Sequence, residues 1–127
     1  MLNGAALYRV IEAHFRLFDG GNAATGPVCC EAFPQAVACA LAGRVVSARG
    51  KGVVRRALLR EVGIDTAALA NVDWVDATLC ALAAQALLAG RFKTYGDVGE
   101  GFIVVPAWRP CLRAAAGPVE GAEMGPG

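Results

Sequence analysis

One apolar stretch near the middle of the chain, residues 71–90, limits the folds that this sequence can adopt. Its apolar side chains recur at spacings of three and four residues, as on one face of a helix: Val75, Leu79, Leu82, Ala86 and Ala89. Further apolar residues fall on its other faces: Cys80, Ala84, Leu87 and Leu88. We therefore expect a helix of which little faces water, and two carboxylates, Asp73 and Asp76, stand at its start.

The rest of the composition is that of a folded chain. A length of 127 residues favours one domain, and 56% hydrophobic with 18% charged residues excludes disorder of the whole chain. The net charge of +1 indicates no particular partner, so any preference must come from local clusters of charge.

Cysteine usage and the N-terminus bear on the cellular compartment. The five cysteines are odd in number and show no Cys-x-x-Cys spacing, which favours reduced thiols in a cytosolic protein. The first residues lack a basic signal-peptide region, and the longest apolar run is shorter than the roughly 20 residues of a membrane span. We expect a soluble cytoplasmic protein with no membrane partner.

The first half of the chain predicts two helices around a buried strand. Residues 3–18 carry an amphipathic stripe that ends in Phe15 and Phe18, which favours a helix. The apolar run 28–33 is typical of a buried strand, with Glu31 near its carboxyl end. A second helix is expected to begin at Pro34 and to end at Gly43, because proline suits a first helical position and glycine a last one.

Between residues 44 and 60 the chain carries six basic side chains and no acid. Residues 47–52 form a flexible loop by composition, and a helix follows with three arginines predicted on its outer face: Arg55, Arg56 and Arg60. Two interpretations stay open. The arginines form a solvated helix face, or they belong to a surface that contacts phosphates.

The C-terminal third predicts a hairpin and a tail. The extended segments Phe92–Tyr95 and Phe102–Pro106 flank a glycine-rich turn. Residues 107–127 are rich in Ala, Gly and Pro without periodicity, and we expect them to be disordered.

Carboxylates are the candidate catalytic groups, since neither a phosphate-binding glycine loop nor a Gly-x-Ser-x-Gly elbow is present. Glu31, Asp73 and Asp76 offer the oxygen ligands that Mg²⁺ or Mn²⁺ prefers, and two such ions support phosphodiester hydrolysis. Asp73 is alternatively the N-cap of its helix. Asp76, one turn further on, is expected to be partly buried and to need a partner.

Four segments together resemble domain-of-unknown-function family 429. They are Cys30-Glu-Ala-Phe-Pro-Gln, a basic Arg-x-Lys loop with a Leu-Leu helix, Asp73-x-x-Asp-Ala-x-x-Cys-Ala-Leu-x-Ala, and Gly99-Glu-Gly-Phe-Ile-Val-Val-Pro. The leading Met1-Leu-Asn-Gly-Ala-Ala-Leu-Tyr-Arg is similar to the family's helix before the glutamate strand. The resemblance covers residues 1–106, which we take as the domain.

The family is described as predicted nucleases of the RNase H-like, RuvC-related superfamily. The resemblance implies a metal-dependent nuclease with catalytic Glu31 and Asp76, a metal bound by Glu31, Asp73 and Asp76, and nucleic acid near Arg49, Lys51 and Arg55. The implied cofactor is Mg²⁺ or Mn²⁺.

An RNase H-like fold begins with three strands, and no such segment precedes the first helix of this sequence. We therefore expect a partial RNase H-like α/β fold with the first three strands absent from this chain, so that the strand ending at Glu31 has an unpaired edge. A missing N-terminal segment or a partner chain, as in a homodimer, would cover that edge. The alternative function is an inactive RNase H-like remnant that serves as a binding or assembly module.

Overall fold

The computed structural model describes residues 4–21 and 26–107, and these form a mixed α/β fold. The elements in chain order are α1 (Gly4–Glu12), β1 (Arg16–Leu17), β2 (Val28–Cys29), α2 (Pro34–Ala42), α3 (Lys51–Glu61), a 3₁₀ turn (Thr66–Ala68), α4 (Val72–Ala89), β3 (Phe92–Asp97) and β4 (Gly101–Pro106). Apart from Ala107, the tail predicted for residues 107–127 lies outside the described residues.

The strands form two small sheets that a single bridge joins. β1 pairs in parallel with β2, and β3 pairs antiparallel with β4 as the predicted hairpin. Glu31 bridges to Ile103 in β4, and the Val104 amide donates to the Glu31 carbonyl at 2.9 Å. The segment that ends at Glu31 therefore lies between β1 and β4. The predicted unpaired edge is therefore wrong on the β1 side, whereas on the β4 side the described residues form only the bridge at Glu31.

The first helix is shorter than its periodicity predicts, and this explains how β2 gains a neighbour. α1 ends at Glu12, whereas residues 16–18 are extended and not helical. The Phe18 amide donates to the Cys29 carbonyl at 2.8 Å, and the Phe18 ring packs edge-on against Phe92 and Phe102. Sheet pairing and burial of one aromatic ring thus override the helical pattern of the sequence.

The core lies where α4 crosses β4 beside α2 and α3. Most of the predicted inner face of α4 is buried: Val75, Leu79, Leu82 and Ala86. The expectation that little of α4 faces water is wrong, because Leu88 is 73% exposed and Ala89 is also exposed. By length and composition alone α4 could cross a membrane, and a third of it is buried inside the protein.

The helix ends follow local rules, with one correction. α2 begins at Pro34 and is closed by Gly43 in a left-handed conformation, as predicted. The N-cap of α4 is Asn71, whose side-chain oxygen accepts from the Trp74 amide at 3.1 Å. The alternative that Asp73 caps α4 is therefore wrong, and Asp73 is an exposed residue of the first helical turn.

Candidate functional site

The Asp76 carboxylate is held by an arginine from the neighbouring helix. Arg55 Nη1 donates to Asp76 Oδ1 at 2.5 Å, and the two side chains are 6% and 22% exposed. Asp76 is thus partly buried, as predicted, and its partner is Arg55. A buried arginine needs such a carboxylate, because an unpaired buried charge is strongly destabilising.

Arg55 lies inside the protein and not on its surface. It is 5% exposed, so its predicted place on the outer face of α3 is wrong. The other two arginines of the predicted face donate hydrogen bonds to Thr66. Arg56 donates to the Thr66 carbonyl and Arg60 donates to the Thr66 hydroxyl, each at 3.1 Å. The outward side chains that remain in this basic segment include Arg49 and Lys51.

Gln35 extends the pair into a chain of hydrogen bonds across three helices. Arg55 Nη2 donates to Gln35 Oε1 at 2.8 Å, and Gln35 Nε2 donates to the Val46 carbonyl at 2.6 Å. Arg55 Nε is buried without a partner among the described residues. The chain fixes α2, α3 and α4 against one another and holds the Asp76 carboxylate in one orientation.

One oxygen of Asp76 stays open. Within the part of the chain that the structure describes, Oδ1 accepts from Arg55 whereas Oδ2 accepts no hydrogen bond. The Asp76 side chain is 22% exposed, so part of it is open to water. Asp76 thus presents a fixed oxygen ligand to the surface.

Two partly buried thiols, Cys30 and Cys80, have pKa values that neighbouring groups shift. Burial raises the pKa of Cys80, the Asp76 carboxylate raises it further, and Arg55 acts in the opposite direction. Burial also raises the pKa of Cys30, with smaller upward effects from Cys29 and Cys80. Cys80 is therefore close enough to Asp76 and Arg55 for their charges to act on its thiol.

The four described cysteines are free, in agreement with the predicted reduced thiols: Cys29, Cys30, Cys39 and Cys80. Each is only partly buried. Cys111 lies outside the described residues.

Glu31 lines a cavity of about 240 Å³ together with α1 and the start of β4. Its side chain is exposed, whereas Cys30 packs on the core. Because successive strand residues face opposite sides, Glu31 points away from the core face. Burial raises the pKa of Tyr8 on α1, and Glu31 is the next largest cause.

The described residues do not form a metal centre by themselves. They contain no group of three or more His, Cys, Asp or Glu side chains that could hold an ion. Carboxylate oxygens suit Mg²⁺ or Mn²⁺. One oxygen of Asp76, however, accepts a hydrogen bond from Arg55. Glu31 points away from the core face. The implied ligand set of Glu31, Asp73 and Asp76 therefore needs further donors.

The sequence interpretation missed Gln35 and placed Arg55 on the wrong face of its helix. Gln35 had no distinguishing signal, because its partners come from other elements. Arg55 did have one. It stands three, four and seven residues before Leu58, Leu59 and Val62, which are all buried, so helical spacing places it on the inner face of α3.

The chain matches the model of a known protein family. The model of a family described as a protein of unknown function, DUF429, matches residues 1–100. The chain belongs to this family. The matched range includes Glu31, Arg55 and Asp76. No curated protein and no solved structure matches.

Proposed function

We propose that this chain takes part in the hydrolysis of nucleic-acid phosphodiesters, as the acid-bearing part of a nuclease. The observation that carries the proposal is the partly exposed Asp76 carboxylate, which Arg55 fixes through Oδ1 while Oδ2 accepts no hydrogen bond from the described residues. An oxygen in a fixed orientation can position a reactant without first losing conformational freedom. The resemblance of the sequence to a family described as predicted nucleases is in line with this activity.

The proposal assigns separate tasks to the residues of this chain. Asp76 supplies the oriented oxygen, and Arg55 with Gln35 holds it in place. Arg49 and Lys51, both exposed before or at the start of α3, contact the phosphate backbone. No three of the described carboxylates form a group that could hold an ion, so the proposal requires that further acids of the full chain or of a second copy complete the site beside Asp76.

Activity of the Asp76→Asn variant tests this function. The full chain is incubated with labelled single-stranded DNA, duplex DNA and RNA, in Mg²⁺ and in Mn²⁺. Asp76→Asn should lower the rate of cleavage about a hundredfold, because a neutral amide replaces the charged carboxylate. The amide oxygen can still accept the hydrogen bond from Arg55. The matched control, Asp73→Asn, removes an exposed acid from the same helix and should keep wild-type cleavage. Cleavage of none of the three substrates by the wild type, or equal cleavage by Asp76→Asn, would refute the proposal.

A second candidate function, assembly with another copy of this chain, is favoured by α1. Its apolar stripe is open to solvent, with Leu7 46%, Val10 56% and the following Phe15 46% exposed. β1, which follows α1, is the last strand on its side of the sheet among the described residues. An apolar stripe beside an open sheet edge is typical of an interface.

Light scattering after size-exclusion chromatography tests assembly. The wild type should elute as a dimer, and the double variant Leu7→Ser/Val10→Ser should weaken the dimer at least tenfold by removing apolar contact area. The control Val45→Ser/Val53→Ser changes two exposed valines outside α1 and should leave the dimer unchanged. A wild type that stays monomeric at all concentrations rules out this function.

A further inference from the structure

A second cavity, of about 450 Å³, lies between the end of α2 and the β3–β4 hairpin. We call it the Tyr95 groove, and it is defined by six of its lining residues: Ala36, Ala40, Gly43, Arg44, Lys93 and Tyr95. Its volume is in the range of small-molecule binding sites. It lies apart from the Arg55–Asp76 pair, neither of which lines it.

The groove combines two positive charges with an open aromatic ring. Arg44 and Lys93 are exposed, and Tyr95 is 57% exposed. Among the described residues that line the groove there is no Asp or Glu. Lysine and arginine are the side chains that bind phosphate, and an exposed ring offers a stacking surface to any nucleobase. The lining therefore favours a ligand that is both anionic and planar.

The α2 side of the groove leaves room for a flat ligand. Ala36, Ala40 and Gly43 follow one another at spacings of four and three residues, so small side chains line that side of the helix. Gly43 has a φ of 73° as the C-cap, and a Cβ there would meet no atom within 4 Å. The space beside Gly43 is thus open, and Tyr95 lines the same cavity from the hairpin side.

Strand register places the groove in line with Glu31. Tyr95 pairs with Ile103, and Ile103 bridges to Glu31, so the three residues form one row across the sheet. Paired residues of neighbouring strands share a face, and each strand spacing is about 4.8 Å. Tyr95 and Glu31 are therefore about 10 Å apart on the same side of the sheet.

We propose that the Tyr95 groove binds one nucleotide of a single-stranded nucleic acid. The base stacks on Tyr95, and its phosphate lies between Arg44 and Lys93. The row from Tyr95 to Glu31 directs the adjoining nucleotides across the sheet. Only this last step rests on the proposed nuclease function, because binding in the groove follows from its own residues.

Binding of a fluorescein-labelled 12-nucleotide oligothymidylate, followed by anisotropy in the presence of EDTA, tests the proposal without cleavage. Tyr95→Leu should raise the Kd about tenfold, because the stacking surface is lost, whereas Tyr95→Phe should bind as the wild type does. The control Trp74→Leu removes an aromatic ring of similar exposure from α4 and should leave the Kd unchanged. Lys93→Gln and Arg44→Gln should each make the negative slope of log K against log salt shallower by about 0.7, because each removes one phosphate contact.

The outcomes separate the two proposals. Binding that depends on Arg49 and Lys51 but not on Tyr95 overturns the groove and leaves the nuclease surface standing. No binding by the wild type, or equal binding by Tyr95→Leu, also overturns the groove. Loss of cleavage in Asp76→Asn with an unchanged Kd shows that the Asp76 site and the groove act separately.

Discussion

Replacement of Arg55 by methionine should lower the free energy of unfolding by about 3 kcal/mol. The substitution keeps much of the side-chain volume but leaves the partly buried Asp76 carboxylate and Gln35 Oε1 without their donor. Removal of one partner of a buried ion pair lowers the stability of the fold by more than the intact pair contributes to it, because the remaining charge stays desolvated. Urea denaturation followed by circular dichroism measures the change.

A double variant provides the control for Arg55. Arg55→Met/Asp76→Leu removes both charges and should recover at least half of the lost stability, since two apolar groups replace the pair. The coupling energy from this double-mutant cycle isolates the interaction from the effects of each substitution. Arg55→Met with wild-type stability would mean that water, and not Arg55, satisfies Asp76.

The second large effect is expected at the centre of α4. Leu79 is fully buried, so Leu79→Ala should lower the free energy of unfolding by about 3 kcal/mol through lost burial and a residual cavity. Leu88 lies on the same helix and is 73% exposed, so Leu88→Ala should change the same quantity by less than about 0.5 kcal/mol. The same denaturation experiment measures both variants.

The contrast between these two leucines also tests the orientation of α4. Equal losses at both positions would mean that a partner covers the outer side of the helix in solution. A larger loss at Leu88 than at Leu79 would contradict the orientation of α4 in the structure.

Local signals in the sequence predict both ends of α2, because the groups that decide them are close in the chain. Pro34 and Gly43 mark the two ends of α2 through backbone conformation alone. At α4 two residues compete for the cap, and Asn71 takes it because its side chain reaches the Trp74 amide three residues later. Asp73 then falls inside the first turn.

The prediction fails where distant residues decide the structure. Residues 16–18 follow a helical pattern, but their amides bond to Pro27 and Cys29 and the chain extends there. This pairing gives β2 a neighbour that the sequence alone did not offer, so the predicted free edge disappears on the β1 side. Such long-range pairing is not encoded in the periodicity of one segment.

The candidate site was predicted in part. The sequence indicated that Asp76 is partly buried and needs a partner, and the structure supplies Arg55. It did not indicate that Gln35 completes the chain, or that Glu31 faces a cavity beside α1. The family assignment of the sequence is confirmed, whereas the nuclease activity stays a proposal.

The bridge between Glu31 and Ile103 has a consequence for how the chain acquires its structure on the ribosome. It joins residues that are 72 positions apart, and the Val104 amide closes the same link. A sheet with such remote partners forms slowly, because the entropy of closing a long loop is lost before any stabilising contact forms. In the nascent chain, β1 and β2 therefore lack their β4 neighbour until about residue 106 has left the exit tunnel. During that interval α2, α3 and α4 can already form from local contacts.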